Sequence, residues 1–314
     1  MIPLVTIQGP TASGKSALAQ ALAMAFGSGI ISADSRQVYQ GLDIGTAKPT
    51  LEEQRRVPHH LIDIIDIKEV YDAGSFARDA AGPIREYASR GLIPIVCGGT
   101  GLYVKALLEG ICELPPIPGS IKLSLSARIA HAATPEARIK LLNEMHAELR
   151  AIDPEFAARV SVHDPQRIIR GLEVWMATGI PLSEHWRRQQ PSETYKTFNI
   201  LIMPPREQLY KRINLRMAQM LESGLIDEIK SLLEQGYTWS DPGLNSLGYK
   251  EFKPYLEGTC SLEDAINLAA QHSRNYAKRQ VTWYRKLDFD LTIASNELNM
   301  SVLESRIREV LSLI

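Results

Sequence analysis

The chain predicts an α/β fold, a doubly wound parallel sheet carrying a P-loop and interrupted by an all-helical insertion. Three observations lead there. Short, β-branched apolar runs recur with helix-favouring stretches between them. The first run leads directly into Gly9-Pro10-Thr11-Ala12-Ser13-Gly14-Lys15-Ser16. Strand signals then vanish over the middle of the chain and return in its last third.

The strand candidates are Leu4–Gln8, Ile30–Ser32, Leu61–Ile65, Ile93–Cys97, Asn199–Met203 and Leu291–Ala294. Most are short and apolar on both faces, as strands covered on both sides of a parallel sheet must be. Helical runs separate them: Ala17–Phe26, Ser75–Arg90 between a capping serine and Gly91, and Thr100–Leu108. That alternation is βαβ, which places the sheet's helices on its two faces. After Leu114-Pro115-Pro116-Ile117-Pro118-Gly119 the rhythm stops. Thr134 with Pro135, Asp153 with Pro154, and Asp164 with Pro165 each open a helix, and Gly179 closes the third. Residues 1–118 are therefore assigned to the first part of the core and 119–190 to a helical insertion. Residues 191–314 form the second part, with helices near 206–223, 225–235 and 261–286.

Composition narrows the class. A chain of 314 residues, 45% hydrophobic and 23% charged, is ordinary for a soluble globular protein. It holds no apolar run of about 18 residues, so no membrane partner is expected. Met1-Ile2-Pro3 runs straight into the first strand, without space for a signal peptide. Cys97, Cys112 and Cys260 are scattered, which fits neither a disulfide framework nor a zinc site and suits a reducing cytosol. With a net charge of −1, any nucleic acid would have to be met by a local basic patch.

Residues 9–16 have the Gly-x-x-x-x-Gly-Lys-Ser spacing in the strand–loop–helix setting that a P-loop needs. At ordinary glycine usage the spacing alone arises in about one chain in a hundred of this length. The glycines let successive N–H groups turn inward on a phosphate, and the following helix adds its positive end. Lys15 supplies a point charge and Ser16 a hydroxyl for Mg²⁺. Asp34 ends the second strand on the same sheet edge, where a carboxylate can serve as general base, hold a Mg²⁺-bound water, or cap a helix. Gly98-Gly99-Thr100-Gly101 follows the fourth strand. Two glycines there allow a substrate ring to approach the backbone, with Thr100 available for one hydrogen bond; a tight turn capped by Thr100 is the alternative. The run Ile93–Cys97 ends in glycines instead of a Mg²⁺-organising aspartate, and Leu61–Asp66 only imitates that pattern, so the phosphate ligand need not be ATP. Arg167 and Arg170 lie three apart on one helix start. Residues 272–286 hold Arg274, Lys278, Arg279, Arg285 and Lys286 among Tyr276, Trp283 and Tyr284. Such a run either neutralises and stacks RNA or is a solvated helix face with aromatics tucked into the core.

Taken in order, GPTASGKS at 9–16, Asp34-Ser35-Arg36-Gln37-Val38-Tyr39, Asp43-Ile44-Gly45-Thr46-Ala47-Lys48-Pro49, residues 98–103, Asp164-Pro165-Gln166-Arg167 and Gly248-Tyr249-Lys250-Glu251 resemble the tRNA dimethylallyltransferase family. The resemblance runs from the first strand to Lys278-Arg279-Gln280 and is of the bacterial type, without a C-terminal zinc finger. It implies transfer of a dimethylallyl group from its diphosphate to N6 of an adenosine beside the tRNA anticodon, at position 37. Prenylation of free adenine nucleotides and a small-molecule P-loop kinase are the alternatives. The resemblance further implies that Gly9, Pro10, Thr11, Ala12, Ser13, Gly14, Lys15, Ser16 and Arg216 hold the diphosphate, with Mg²⁺ on Ser16. Asp34 would accept the amine proton and Thr100 orient the amine. Asp34, Ser35, Arg36, Gln37, Thr100, Lys122, Gln166, Arg167, Ile168, Ile169, Arg170, Gly248, Tyr249, Lys250, Arg274, Lys278 and Arg279 would meet the tRNA. The implied partners are a tRNA anticodon stem-loop and dimethylallyl diphosphate, with the chain acting as a monomer.

Overall fold

The computed structural model describes residues 1–112, 114–188, 193–294 and 299–311. By its internal contacts the chain divides into two compact units, Met1–Glu109 with Ser192–Ile314, and Gly110–Pro191. The proline-rich stretch 114–118 thus belongs with the helical unit.

The first unit is built on six strands: β1 (Ile2–Gln8), β2 (Ile30–Ser32), β3 (His59–His60), β4 (Ile95–Gly98), β5 (Tyr195–Ile202) and β6 (Leu291–Ile293). All pairings are parallel, in the order β3-β2-β4-β1-β5-β6. Its helices are α1 (Lys15–Phe26), α2 (Leu51–Arg56), α3 (Ala73–Ser89) and α4 (Gly101–Glu109). The second unit supplies α5 (Gly119–Ala130), α6 (Pro135–Ile152), α7 (Pro154–Ala157), α8 (Pro165–Thr178) and α9 (Leu182–Arg187). The first unit then resumes with α10 (Arg206–Glu222), α11 (Leu225–Glu234), α12 (Lys253–Leu256), α13 (Leu262–Tyr284) and α14 (Met300–Leu311).

Strand alternation sorts β1 between two faces. Val5 and Ile7 are fully buried among Leu22 and Phe26 of α1 and Leu303 and Ile307 of α14. Leu4, Thr6 and Gln8 face the other way and are buried as well, with α3 packed on β1. Because β1 lies centrally, between β4 and β5, the loop that follows it opens at the middle of the sheet's carboxyl edge.

The expected strand Leu61–Ile65 is not in the sheet. The ladder stops at His60, and Leu61 and Asp63 adopt left-handed φ values of 61° and 56°, which no strand can contain. Only Ile65 retains an isolated parallel bridge, to Tyr39. The start of α3 also differs from the expected Ser75 cap: Asp72 is the N-cap, and its carboxylate accepts the Ser75 N–H at 2.8 Å. No helix of the described residues is long and apolar enough to cross a membrane.

In the second unit the three helix starts read from the sequence carry their caps: Thr134, Asp153 and Asp164 each accept a first-turn N–H, with proline next in the chain. Its core gathers Leu125, Leu142, Met145, Leu149, Phe156, Ile168 and Leu172. Asp153 is buried and uses both carboxylate oxygens, accepting Phe156 N–H at 2.9 Å and Ser183 N–H at 2.8 Å. One side chain therefore caps α7 and ties it to the start of α9. Hydrogen bonds to a charged group contribute about 1.5–3 kcal/mol each. Asp153→Ala is expected to lower the stability of this unit by about 3 kcal/mol, read from its urea midpoint; an unchanged midpoint would contradict the assignment.

Candidate active site

Gly9–Gly14 curl between β1 and α1. Ser13 N–H closes a turn on Pro10 O at 3.2 Å. Ala12 and Gly14 take φ values of 61° and 98°, so the chain reverses its curvature twice before the helix begins. The first N–H groups of α1 have no intrahelical acceptor and are available to an anion. Lys15 Nζ lies 3.4 Å from Pro10 O, over the loop. Two partners of this loop were not legible in the sequence. Arg212 of α10 donates to Ser13 O at 3.1 Å. Gln280 of α13 accepts the Thr11 N–H at 2.9 Å, which takes that amide out of any phosphate cradle.

Asp34 stands just beyond β2, half-buried, and its Oδ1 accepts the Arg36 N–H at 2.9 Å. It closes a turn of the Asx kind instead of capping a helix, because residues 35–38 do not continue into one. Thr100 is bound to the same strand end. Its N–H donates to Ala33 O at 3.1 Å and its hydroxyl accepts the Ser35 N–H at 3.1 Å. Thr100 does not line the cavity described next; the neighbouring Gly99 does, together with Tyr276, whose hydroxyl meets that of Thr100.

Lys15, Asp34, Arg36, Arg216 and Arg279 line one cavity of about 550 Å³ at the sheet's carboxyl edge. A smaller recess of about 220 Å³ shares Thr11, Lys15, Asp34, Thr46 and Arg216 with it and adds Ser16, Gln37 and Cys97. Burial lowers the pKa of Lys15; the nearby Cys97 and Asp34 oppose the shift and Arg216 adds to it. Burial lowers that of Arg216 too, again opposed by Asp34. Burial pushes the Cys97 thiol up to about 12, against the pull of Lys15, so it stays neutral. Two cations are thus held partly desolvated beside a single carboxylate, a field that favours a polyanion.

Residues 43–49 form a second wall, held by two charged side chains, a buried Lys48 and a half-buried Glu228. Lys48 reaches Tyr39 O at 2.9 Å, Asp43 at 2.6 Å, and Asp63. Glu228 of α11 accepts the N–H groups of Asp43, Ile44 and Gly45 at 3.0, 2.7 and 3.3 Å, and the Tyr249 hydroxyl at 2.6 Å. Tyr249 is therefore fully buried structure with no face left for RNA, whereas its neighbour Lys250 is exposed on the cavity rim. Glu251 accepts Gly248 N–H at 2.8 Å and pairs with His272 at 2.8 Å. Gln37 is bound between Ser32 Oγ at 2.9 Å and Ala47 O at 3.1 Å, which joins this wall to β2.

Other sequence candidates are placed as follows. On α13, Lys278 and Arg279 are exposed, Arg279 stacks over Tyr276 at 5.6 Å, and Arg274 donates to Asn214 at 2.7 Å. In the helical unit Lys122, Gln166, Arg167 and Arg170 are exposed. Arg167 lies 3.5 Å from Asp164 and Arg170 3.6 Å from Glu173. Ile168 is completely buried in that unit's core, so its side chain holds the helix and cannot read a ligand, while the half-buried Ile169 packs partly against the same core.

An anion loop with a carboxylate facing across from it is the equipment of a P-loop group-transfer enzyme. Sequence comparison narrows this class: a family profile described as IPP transferase matches residues 37–287, and one described as isopentenyl transferase matches residues 2–71. The chain belongs to the IPP transferase family. A tRNA dimethylallyltransferase of Geobacter sulfurreducens is 44% identical over 284 residues, 90% of this chain and 89% of that protein. One from Roseiflexus castenholzii is 42% identical over 296 residues, 94% of each. Among solved structures, the tRNA isopentenylpyrophosphate transferase of Bacillus halodurans aligns with a TM-score of 0.70 at 36% identity, covering 99% of this chain and 97% of that one. A eukaryotic dimethylallyltransferase described as acting on tRNA gives a TM-score of 0.78 at 29% identity, covering 96% of this chain and 77% of that one.

The lowered Lys15 pKa has a signed consequence. In the unfolded chain a lysine titrates near 10.4. Between the depressed folded value and that figure, the unfolded chain holds the extra proton, so the empty protein gains stability as pH rises. An anion in the loop favours charged Lys15, so inorganic diphosphate should bind with proton uptake and more weakly as pH climbs through this window. Calorimetry in buffers of different ionisation enthalpy is expected to show that uptake in the wild type and its loss in Lys15→Met; equal proton counts in both would contradict it.

Proposed function

We propose that the protein transfers a dimethylallyl group from dimethylallyl diphosphate to N6 of an adenosine next to the anticodon of tRNA, position 37, releasing diphosphate. The observation that carries this reading is that Lys15, Arg216 and Asp34 line one cavity: two partly desolvated cations for a leaving anion, and a carboxylate for the proton given up by the acceptor. The names of the relatives support the choice of tRNA and of the prenyl group.

In the proposed reaction the bond between the allylic carbon and the diphosphate oxygen breaks, and its electron pair leaves with the diphosphate. Residues 9–16 and Arg216 hold that group as its charge grows. The N6 lone pair forms the new C–N bond. Delocalisation into the purine makes N6 a poor nucleophile, and a carboxylate is a weak base toward it. The proton therefore passes to Asp34 as the bond forms or afterwards. Thr100, whose hydroxyl accepts the Ser35 N–H next to Asp34 and meets the Tyr276 hydroxyl, orients the amine. The adenine must leave its stack to reach this depth. Arg36, Lys250 and Arg279 on the cavity rim, with Arg274, Lys278, Lys122, Gln166, Arg167 and Arg170, supply charge and hydrogen bonds to the flanking RNA.

Mg²⁺ fits the donor set. Among the described residues no cluster of three His, Cys, Asp or Glu could cage an ion. Mg²⁺ bound to phosphates needs only one or two protein oxygens, which the Ser16 hydroxyl would supply here. Bound there, it would add positive charge beside the leaving oxygens.

Incubation with labelled dimethylallyl diphosphate and an anticodon stem-loop is expected to label the RNA, and labelled ATP to label nothing. A phosphorylated product without prenylated RNA would defeat the reading in favour of a kinase. Asp34→Ala should cut turnover by about 100- to 10,000-fold while tRNA affinity survives, the range over which a general base acts; full activity would remove Asp34 from the reaction. Reversing charge with Arg167→Glu and Arg170→Glu should weaken tRNA binding and reduce the slope of log affinity against log salt by about 1 to 2. An unchanged affinity and slope would show that α8 is not an RNA surface.

A further inference from the structure

We infer that Gln280 is a positioning residue that sets the spacing between the diphosphate loop and the Gly99–Thr100 turn, an assignment that rests on the transfer reaction proposed above. Its amide is buried and bonded to backbone at both polar atoms: Oε1 accepts Thr11 N–H at 2.9 Å and Nε2 donates to Gly99 O at 2.8 Å. Those partners lie on two different strand-end loops, one after β1 and one after β4. A side chain that joins an N–H to a C=O must accept at one atom and donate at the other. Glutamate cannot donate and lysine cannot accept, whereas a primary amide does both at a fixed separation.

The surroundings are shaped to this bridge. Gly99 has no side chain where a Cβ would stand 2.6 Å from Gln280 Nε2 and 3.6 Å from Lys15 Nζ. Ala277 and Tyr284, one turn to either side of Gln280, are buried on the same face of α13. The Tyr284 hydroxyl also donates to Gly99 O, at 3.1 Å. From Gly99 the connection continues to the carboxylate: Thr100 N–H binds Ala33 O and the Thr100 hydroxyl accepts Ser35 N–H, the residues flanking Asp34. Gln280 is thus the side chain through which the loop that holds the leaving group registers with the strand end that holds the proton acceptor. Both of its polar atoms are committed to the backbone, so it works through geometry and takes no part in bond making.

A misplacement of about 1 Å between reacting groups lowers rates by about 100-fold. The test is steady-state transfer from dimethylallyl diphosphate to an anticodon stem-loop by the intact chain, with Gln280→Met, which removes both hydrogen bonds, and Gln280→Asn, which keeps the amide but shortens its reach. The expected result for each is a kcat lower by about 100-fold with KM for both substrates close to the wild-type value. Tyr284→Phe, which leaves the amide bridge in place, should stay near the wild-type kcat. If Gln280→Met does not fold, Gln280→Asn decides. A kcat near wild type in either folded variant, with only a lower melting temperature, overturns the inference, as does a KM rise with kcat preserved or an equal loss in Tyr284→Phe. Absence of transfer by the wild type would instead refute the proposed reaction, and the two failures are therefore separable.

Discussion

The carboxyl ends of the central strands are pressed together so closely that no methyl group fits between them. A Cβ on Gly98 would overlap the Ala33 carbonyl, and one on Gly9 would stand 2.5 Å from Ile202 O. This closeness brings the ends of β2, β4, β1 and β5 into a single edge. It lets Ala33 donate to Cys97 O at 2.8 Å while its own carbonyl receives Thr100 N–H. Asp34 sits one residue beyond this contact and inherits its rigidity. A larger residue at position 98 would move the carboxylate away from the anion loop and leave both groups intact but out of register.

Around that edge, separate devices hold each wall, and each uses a buried or half-buried polar side chain bonded to backbone. Glu228 and Lys48 fix residues 43–48, Glu251 fixes Gly248, and Gln280 fixes the anion loop against Gly99. Buried polar groups are costly when unpaired and rigid when satisfied. A reaction that must bring a growing anion, an allylic carbon and a weak amine nucleophile into one geometry benefits from such walls, because the site has little left to reorganise. Facing the cavity, burial depresses Lys15 and Arg216, opposed by Cys97 and Asp34 at Lys15 and by Asp34 at Arg216.

What was legible in the sequence is local. The anion loop, the strands around it, and the capping pairs Thr134-Pro135, Asp153-Pro154 and Asp164-Pro165 all declare themselves within a few residues. Leu61–Ile65 reads as a strand because its composition suits one, while its left-handed turns at Leu61 and Asp63 leave no trace in hydropathy. Ile168 and Tyr249 sit in motifs that suggested RNA contact, yet both are core residues; motif membership does not tell which side of a helix or turn faces inward. The roles of Gln280, Arg212 and Glu228 are not legible in the sequence for another reason. Their partners lie 269, 199 and 184 residues away, so no periodicity or spacing could reveal them.

A crystal structure with a non-reactive thiolate analogue of dimethylallyl diphosphate and an anticodon stem-loop addresses the central claim most directly. The account predicts phosphorus inside the curl of residues 9–16, the allylic carbon turned toward the cavity, and the Asp34 carboxylate within hydrogen-bonding distance of the adenine N6. A diphosphate bound elsewhere, or an adenine whose amine points away from Asp34, would contradict it.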